Sequence, residues 1–259
     1  MADTDGVFLY LVGTAGSGKS RLTAGLQRWM QEHSLDAIAV NLDPGAESLP
    51  YVPDVDIRDW VKVRDIMAQH GLGPNGAQVA AADMLALQAE DVMEAIGSFR
   101  SDLVLLDTPG QMELFVFREA GRHIVERFAP GRSALAFLVD PFLARNPAAF
   151  VTQILLAATT QFRFQVPMVN VLTKTDLLQP EELEKLQRWM EEPDELHDAI
   201  AADEPTMYHH LNTSIFRVLE ELGTYTRLTP ASAETLEGLD DVYAFLQNAF
   251  AGAEDLAPR

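Results

Sequence analysis

The 259 residues are 47% hydrophobic and carry 39 acidic against 19 basic side chains, for a net charge of −20. That apolar content suffices for one α/β domain with a sizeable core, while so acidic a surface repels nucleic-acid phosphate and anionic membranes, so direct binding to either is not expected. Cysteine is absent, which excludes disulfides, thiolate metal sites and a cysteine nucleophile.

The first residues, Met1 to Gly6, are acidic and run straight into a short apolar segment; they do not resemble a secretory leader, and no run of 18 apolar residues follows. A cytoplasmic protein without a membrane span is the expectation. Only Lys19, Lys62, Lys174 and Lys185 accompany fifteen arginines. An acidic surface poor in lysine suits a salty cytoplasm, where screening weakens self-repulsion. Two of the four lysines fall inside nucleotide-binding patterns.

Val7 to Val12, "VFLYLV", reads as a buried strand, and Ser20 to Glu32 as a helix with Leu22, Leu26, Trp29 and Met30 on one face. Between them, Gly13 to Ser20 matches G-x-x-x-x-G-K-[ST]. There Gly16, Ser17 and Gly18 turn backbone N–H groups toward phosphates, Lys19 reaches the β- and γ-phosphates, and the Ser20 hydroxyl is a ligand for Mg²⁺. Ala37 to Leu42 is the next strand, ending at Asp43-Pro44-Gly45. Asp43 there is either the start of an Asp-Pro turn or a contact to the Mg²⁺ shell or the attacking water.

Ile57 to Met67 suits a helix, and Ala77 to Ile96 another, with "GLGPNG" (Gly71 to Gly76) between them. Gly-Pro-Asn-Gly by itself makes a good β-turn in any protein. Leu103 to Leu106, Ala134 to Val139 and Val166 to Leu172 are continuous apolar runs, as expected of strands covered on both faces of a parallel sheet. A short strand near Tyr225 to Thr229 and a helix from Leu239 to Phe250 close the pattern. Such alternation predicts a doubly wound, mostly parallel α/β fold of the P-loop type, with its ligand at the carboxyl ends of the strands.

Asp107-Thr108-Pro109-Gly110-Gln111 follows one of those strands directly. Asp107 can hold Mg²⁺ through water, Gly110 can offer its N–H to a γ-phosphate, and Gln111 can orient a water. Thr173-Lys174-Thr175-Asp176 ends another. Asp176 can accept two hydrogen bonds from guanine that adenine cannot donate, while the Lys174 stem covers the base, so GTP is favoured over ATP. Thr173 stands where most GTPases have Asn, which removes an amide that would brace the phosphate loop. Ser232-Ala233 then supplies backbone N–H to the guanine O6. The 55 residues between Asp176 and Ser232 exceed one crossover helix, so a helical insertion at about 180–222, acidic over Glu181 to Glu204, is expected within a single domain spanning 1–259. His209-His210 has no companion at metal-ligand spacing and receives no metal, and the tail from Ala251 to Arg259 is expected to fray.

Taken in order, G-x-x-x-x-G-K-S, N-L-D-P-G, G-P-N-G, D-T-P-G-Q and T-K-x-D resemble the GPN-loop GTPases, from Val7 to about Phe250. The lysine that marks the dimeric ATPases of the Min and nitrogenase-iron-protein group is missing, since Thr14 and Ala15 stand in that region. RNA-processing polynucleotide kinases would not need Thr173 to Asp176. The resemblance implies GTP and GDP as ligands, Mg²⁺ as cofactor, and a homodimer in which Gly73, Pro74 and Asn75 of one subunit enter the other's site near the γ-phosphate. An amide side chain there stabilises phosphate charge without an arginine finger. On this reading Asp43, Asn75 and Gln111 are catalytic, and Ser20, Asp107 and Asp43 hold the metal. A second role, a nucleotide-gated assembly factor for a protein client, follows from eukaryotic members linked to RNA polymerase assembly.

Overall fold

A computed structural model of the chain describes residues 6–202, 214–219 and 227–250. His209-His210, the tail from Ala251 and part of the expected insertion and last strand lie outside these residues. Seven strands form one sheet: β1 Val7–Gly13, β2 Ala37–Asn41, β3 Val55–Asp56, β4 Leu103–Asp107, β5 Ser133–Val139, β6 Met168–Leu172 and β7 Leu228–Pro230. Their order is β3-β2-β4-β1-β5-β6-β7, and every pair is parallel.

The continuous apolar runs follow from burial on both faces. Along β1, Phe8, Tyr10 and Val12 join one core and Val7, Leu9 and Leu11 the other, with the two-residue alternation of a pleated strand. The second core is covered by α1 (Lys19–Glu32) and the last helix. Against the first pack α2 (Val63–His70), α3 (Pro74–Leu87), α4 (Ala89–Gly97), α5 (Met112–Phe115), α6 (Glu119–Phe128), α7 (Pro147–Phe164), α8 (Pro180–Glu191) and α9 (Pro193–Ala201). The last helix, α10, is Leu239–Phe250. Trp189 of α8 meets the Phe150 ring of α7 edge-on at 5.5 Å, so α8 is packed into the same core. Among the described residues no helix is long and apolar enough to cross a membrane.

Register aligns the strand ends. Gly13 pairs with Leu138, Asn41 with both Asp107 and Asp56, and Leu172 with Val139 and Pro230, so the carboxyl termini share one edge. The connection leaving β1 crosses one face through α1, the connection leaving the adjacent β4 crosses the other through α6, and a crevice opens at that switch point.

Three helix expectations need correction. "GLGPNG" is not a free turn between helices: Gly73 caps α3, and Pro74, Asn75 and Gly76 form its first turn. Proline at N1 lacks an N–H that the helix would leave unpaired anyway, and its fixed φ suits the position. The helix expected over 77–96 is two helices broken at Gln88 (φ −92°, ψ 4°), which lets Ala81 and Leu85, then Val92 and Ile96, reach the same core. The helix expected over 57–67 is a short 3₁₀ turn, Ile57–Asp59, followed by α2; Asp56 caps the turn by accepting the Arg58 N–H.

Candidate nucleotide site

The loop between β1 and α1 depends on glycine where its backbone turns left-handed, at Gly16 (φ +80°) and Gly18 (φ +101°), the latter capping α1. Lys19 and Ser20 occupy the first turn of α1. The buried Lys19 ammonium donates to the carbonyls of Gly13 (2.9 Å), Thr14 (3.1 Å) and Gly110 (2.9 Å), joining the phosphate loop to the turn after β4. Burial lowers its pKa to about 8, against the pull of Asp107 and Asp43. Ser17 is fully buried, and its hydroxyl and that of Thr14 have no hydrogen-bond partner among the described residues.

Asp107 ends β4 beneath this loop. Burial pushes its pKa up to about 6, although Ser20, the Tyr51 hydroxyl and Lys19 all pull it down. One carboxylate oxygen accepts from the Tyr51 hydroxyl at 3.0 Å, and the other, Oδ1, is buried with no hydrogen-bond partner at bonding distance among the described residues. A buried carboxylate oxygen beside a serine hydroxyl is a hard oxygen donor set, which fits Mg²⁺ completed by water and phosphate. Among the described residues there is no cluster of three His, Asp or Glu side chains able to cage a metal alone.

Asp43 is held by its neighbours. Asn41 donates to its carbonyl (3.2 Å) and accepts its N–H (3.0 Å), then reaches Asp56 (2.9 Å); Asp56 pairs with Arg58, which also donates to the Ala46 carbonyl (2.9 Å). The Asp43 carboxylate accepts the Gly45 N–H (2.8 Å) and the Gly110 N–H (3.1 Å). The N–H that sequence reasoning assigned to a γ-phosphate is therefore hydrogen-bonded to Asp43. Gln111 caps α5 and is exposed. Gly73, Pro74 and Asn75 are likewise exposed, and Gln78, one turn further along α3, reaches the neighbourhood of Gly45.

At the other end of the crevice, Gly18, Lys174, Asp176 and Ala233 line a cleft of 390 Å³ together with Phe142 and Leu177. Thr173 corrects an expectation: its hydroxyl donates to the Ser17 carbonyl at 2.7 Å, so the phosphate loop is braced without the asparagine amide. Ser232 also differs. Its N–H is spent on the Glu237 carbonyl (3.0 Å), while its hydroxyl donates to Asp176 at 2.7 Å and orients that carboxylate. Of the pair, Ala233 is left to offer a backbone N–H.

Sequence reasoning missed Tyr51, Asp56, Arg58 and Asp140. Asp140 carried a usable signal, since it directly follows β5 as Asp107 ends β4. Tyr51 carried none, because only the fold brings it to Asp107.

A family model described as "Conserved hypothetical ATP binding protein" matches residues 11–252. The GPN-loop GTPase PAB0955 of Pyrococcus abyssi is 32% identical over 252 residues, 96% of this chain and the whole of that protein. The chain belongs to the GPN-loop GTPase family. GPN-loop GTPase 1 of Dictyostelium discoideum is 32% identical over 238 residues, and the chain spans 59% of that relative's length. The crystal structure of PAB0955, described as a GTPase in apo form, matches with a TM-score of 0.85 over 95% of this chain and 98% of that one. The Gly-Pro-Asn motif opens α3, and Gln78 of that helix lies beside Gly45.

Proposed function

We propose that the chain binds GTP at the crevice of β1, β4, β6 and β7 and hydrolyses it to GDP and phosphate with Mg²⁺. Membership of the GPN-loop GTPase family makes a hydrolase acting on GTP its class. The observation that carries the choice of base is Asp176, held by Ser232 in a cleft shared with Lys174. A fixed carboxylate accepts from N1–H and the 2-amino group of guanine; adenine has neither donor, so the carboxylate would be left unpaired.

Gly16, Ser17, Gly18 and Lys19 bind the phosphates, and Ser20 and Asp107 hold Mg²⁺, which when bound neutralises charge on the phosphate oxygens. Phosphate competes with Asp43 for the Gly110 N–H; the freed Asp43 carboxylate and Gln111 then orient water. Lys19 already contacts Gly110, so phosphate binding and this exchange are coupled. Gly73, Pro74 and Asn75, exposed at the start of α3, act on the γ-phosphate across a homodimer. The segment at about 180–222, of which 180–202 and 214–219 are described, belongs on this proposal to the same single domain and meets a protein client. The protein works in the cytoplasm.

The test is steady-state hydrolysis of GTP and ATP by wild type and Asp176→Asn in molar salt. Strong GTP preference in wild type that falls by at least tenfold in the variant supports the reading, and equal turnover of both nucleotides by wild type refutes it. A second reading, a nucleotide-gated assembly factor with little intrinsic turnover, is favoured by the Asp43–Gly110 hydrogen bond, which a phosphate can switch. It predicts slow hydrolysis that a client accelerates.

A further inference from the structure

One carboxylate organises the floor of the base cleft. Asp140, buried at the end of β5, accepts the Phe142 N–H at 3.0 Å and pairs with the Lys174 ammonium at 2.9 Å. Lys174 sits in the left-handed region (φ +58°), so its stem leaves the backbone in a direction that the ion pair then fixes. Phe142 remains 39% exposed within the cleft that Lys174 and Asp176 line. Its ring is steadied by two cations, Arg145 at 4.7 Å and Lys174 at 5.5 Å from the centroid.

We propose that Phe142 is a base-contacting residue: its ring packs on the purine or its ribose, and Asp140 positions both that ring and the Lys174 stem. The inference rests on the assignment of this cleft to the base. An exposed aromatic ring, fixed by neighbours rather than by the core, presents a flat apolar surface at small entropic cost, and a purine covers it. A ring cannot tell guanine from adenine, so Phe142 contributes affinity while Asp176 contributes choice.

The experiment measures GDP, GTP and ATP binding by calorimetry for wild type, Phe142→Ala, Phe142→Tyr and Asp176→Asn, with the fluorescence of Phe142→Trp compared with that of wild type and its three native tryptophans. Stacking of this kind predicts that Phe142→Ala weakens GDP about tenfold, leaves the GTP-to-ATP ratio unchanged, and is rescued by tyrosine. The new tryptophan in Phe142→Trp is quenched on adding GDP. Wild-type GDP affinity in Phe142→Ala, or a tryptophan signal indifferent to GDP, overturns the inference. The ratio in Asp176→Asn tests the base assignment separately: if it does not change, that assignment fails, and the tryptophan signal still decides whether Phe142 touches the nucleotide.

Discussion

Asp107→Asn separates the stability of the fold from its function. Each tenfold change in proton affinity is worth about 1.4 kcal/mol, so raising Asp107 from an ordinary 3.8 to about 6 penalises its ionised form by about 3 kcal/mol. The folded pKa of this acid lies above the unfolded one. The penalty is therefore absent below the unfolded value, grows as pH rises from 3.8 to about 6, and is complete above that. At pH 5 it has reached about half of its full value. Asparagine keeps the shape and the acceptor for Tyr51 but never ionises. Whatever constant cost its amide adds when buried, about 1 kcal/mol or more without an acceptor, does not depend on pH. The gap between variant and wild type must therefore move by about 1.5 kcal/mol in the variant's favour between pH 5 and 7.5. Without the Asp107 charge that raises it, the Lys19 pKa in the variant falls below the wild-type value of about 8; the penalty on the buried ammonium is relieved only as pH rises through the folded pKa, which the variant reaches first, so the response has the same sign. Thermal melts of both proteins without nucleotide, in molar salt, read this as a relative shift of about 3–6 °C for a domain of this size. Parallel pH curves would refute the reasoning. With GTP present, Mg²⁺ stabilises wild type and not the variant.

Two further predictions concern contacts that no motif announced. Thr173→Val removes the hydroxyl that donates to the Ser17 carbonyl and leaves that carbonyl buried and unpaired, costing about 1–3 kcal/mol in denaturant unfolding; GDP affinity falls with it and Thr173→Ser restores both, whereas unchanged GDP affinity would mean that the loop needs no brace. Tyr51→Phe frees the second Asp107 oxygen, so the Mg²⁺ concentration for half-maximal stabilisation of the GTP complex shifts several-fold while metal-free GDP affinity stays as in wild type; an identical Mg²⁺ dependence would contradict a role at the metal carboxylate.

How much of this was legible in the sequence depends on the range over which each feature is encoded. β1 and its loop were readable because a fully buried parallel strand is a continuous apolar run and the turn after it needs glycine at Gly16 and Gly18. The final helix matched its prediction at both ends, Leu239 and Phe250, since its apolar stripe is undisturbed. β3 was invisible: two residues carry no period, and Val55 and Asp56 are a strand only because β2 lies beside them. The Gly-Pro-Asn segment looked like a turn because a helix N-terminus and a β-turn draw on the same residues. Asp43, Lys19 and Asp176 were found as residues but not as partners. Gly110 and Lys19 are 91 positions apart, and Ser232 and Asp176 are 56 apart, so only the aligned strand ends reveal those bonds.

On the proposed function, the Gly-Pro-Asn segment of one chain completes the nucleotide site of another. GTP hydrolysis per subunit, followed over a range of protein concentrations in molar salt with Mg²⁺ for wild type and Asn75→Ala, tests it most directly. The expected result is a GTP-selective rate that rises with concentration to a plateau and collapses at every concentration in Asn75→Ala, with GDP affinity retained. A rate per subunit that is independent of concentration, or an Asn75→Ala protein as fast as wild type, would contradict it.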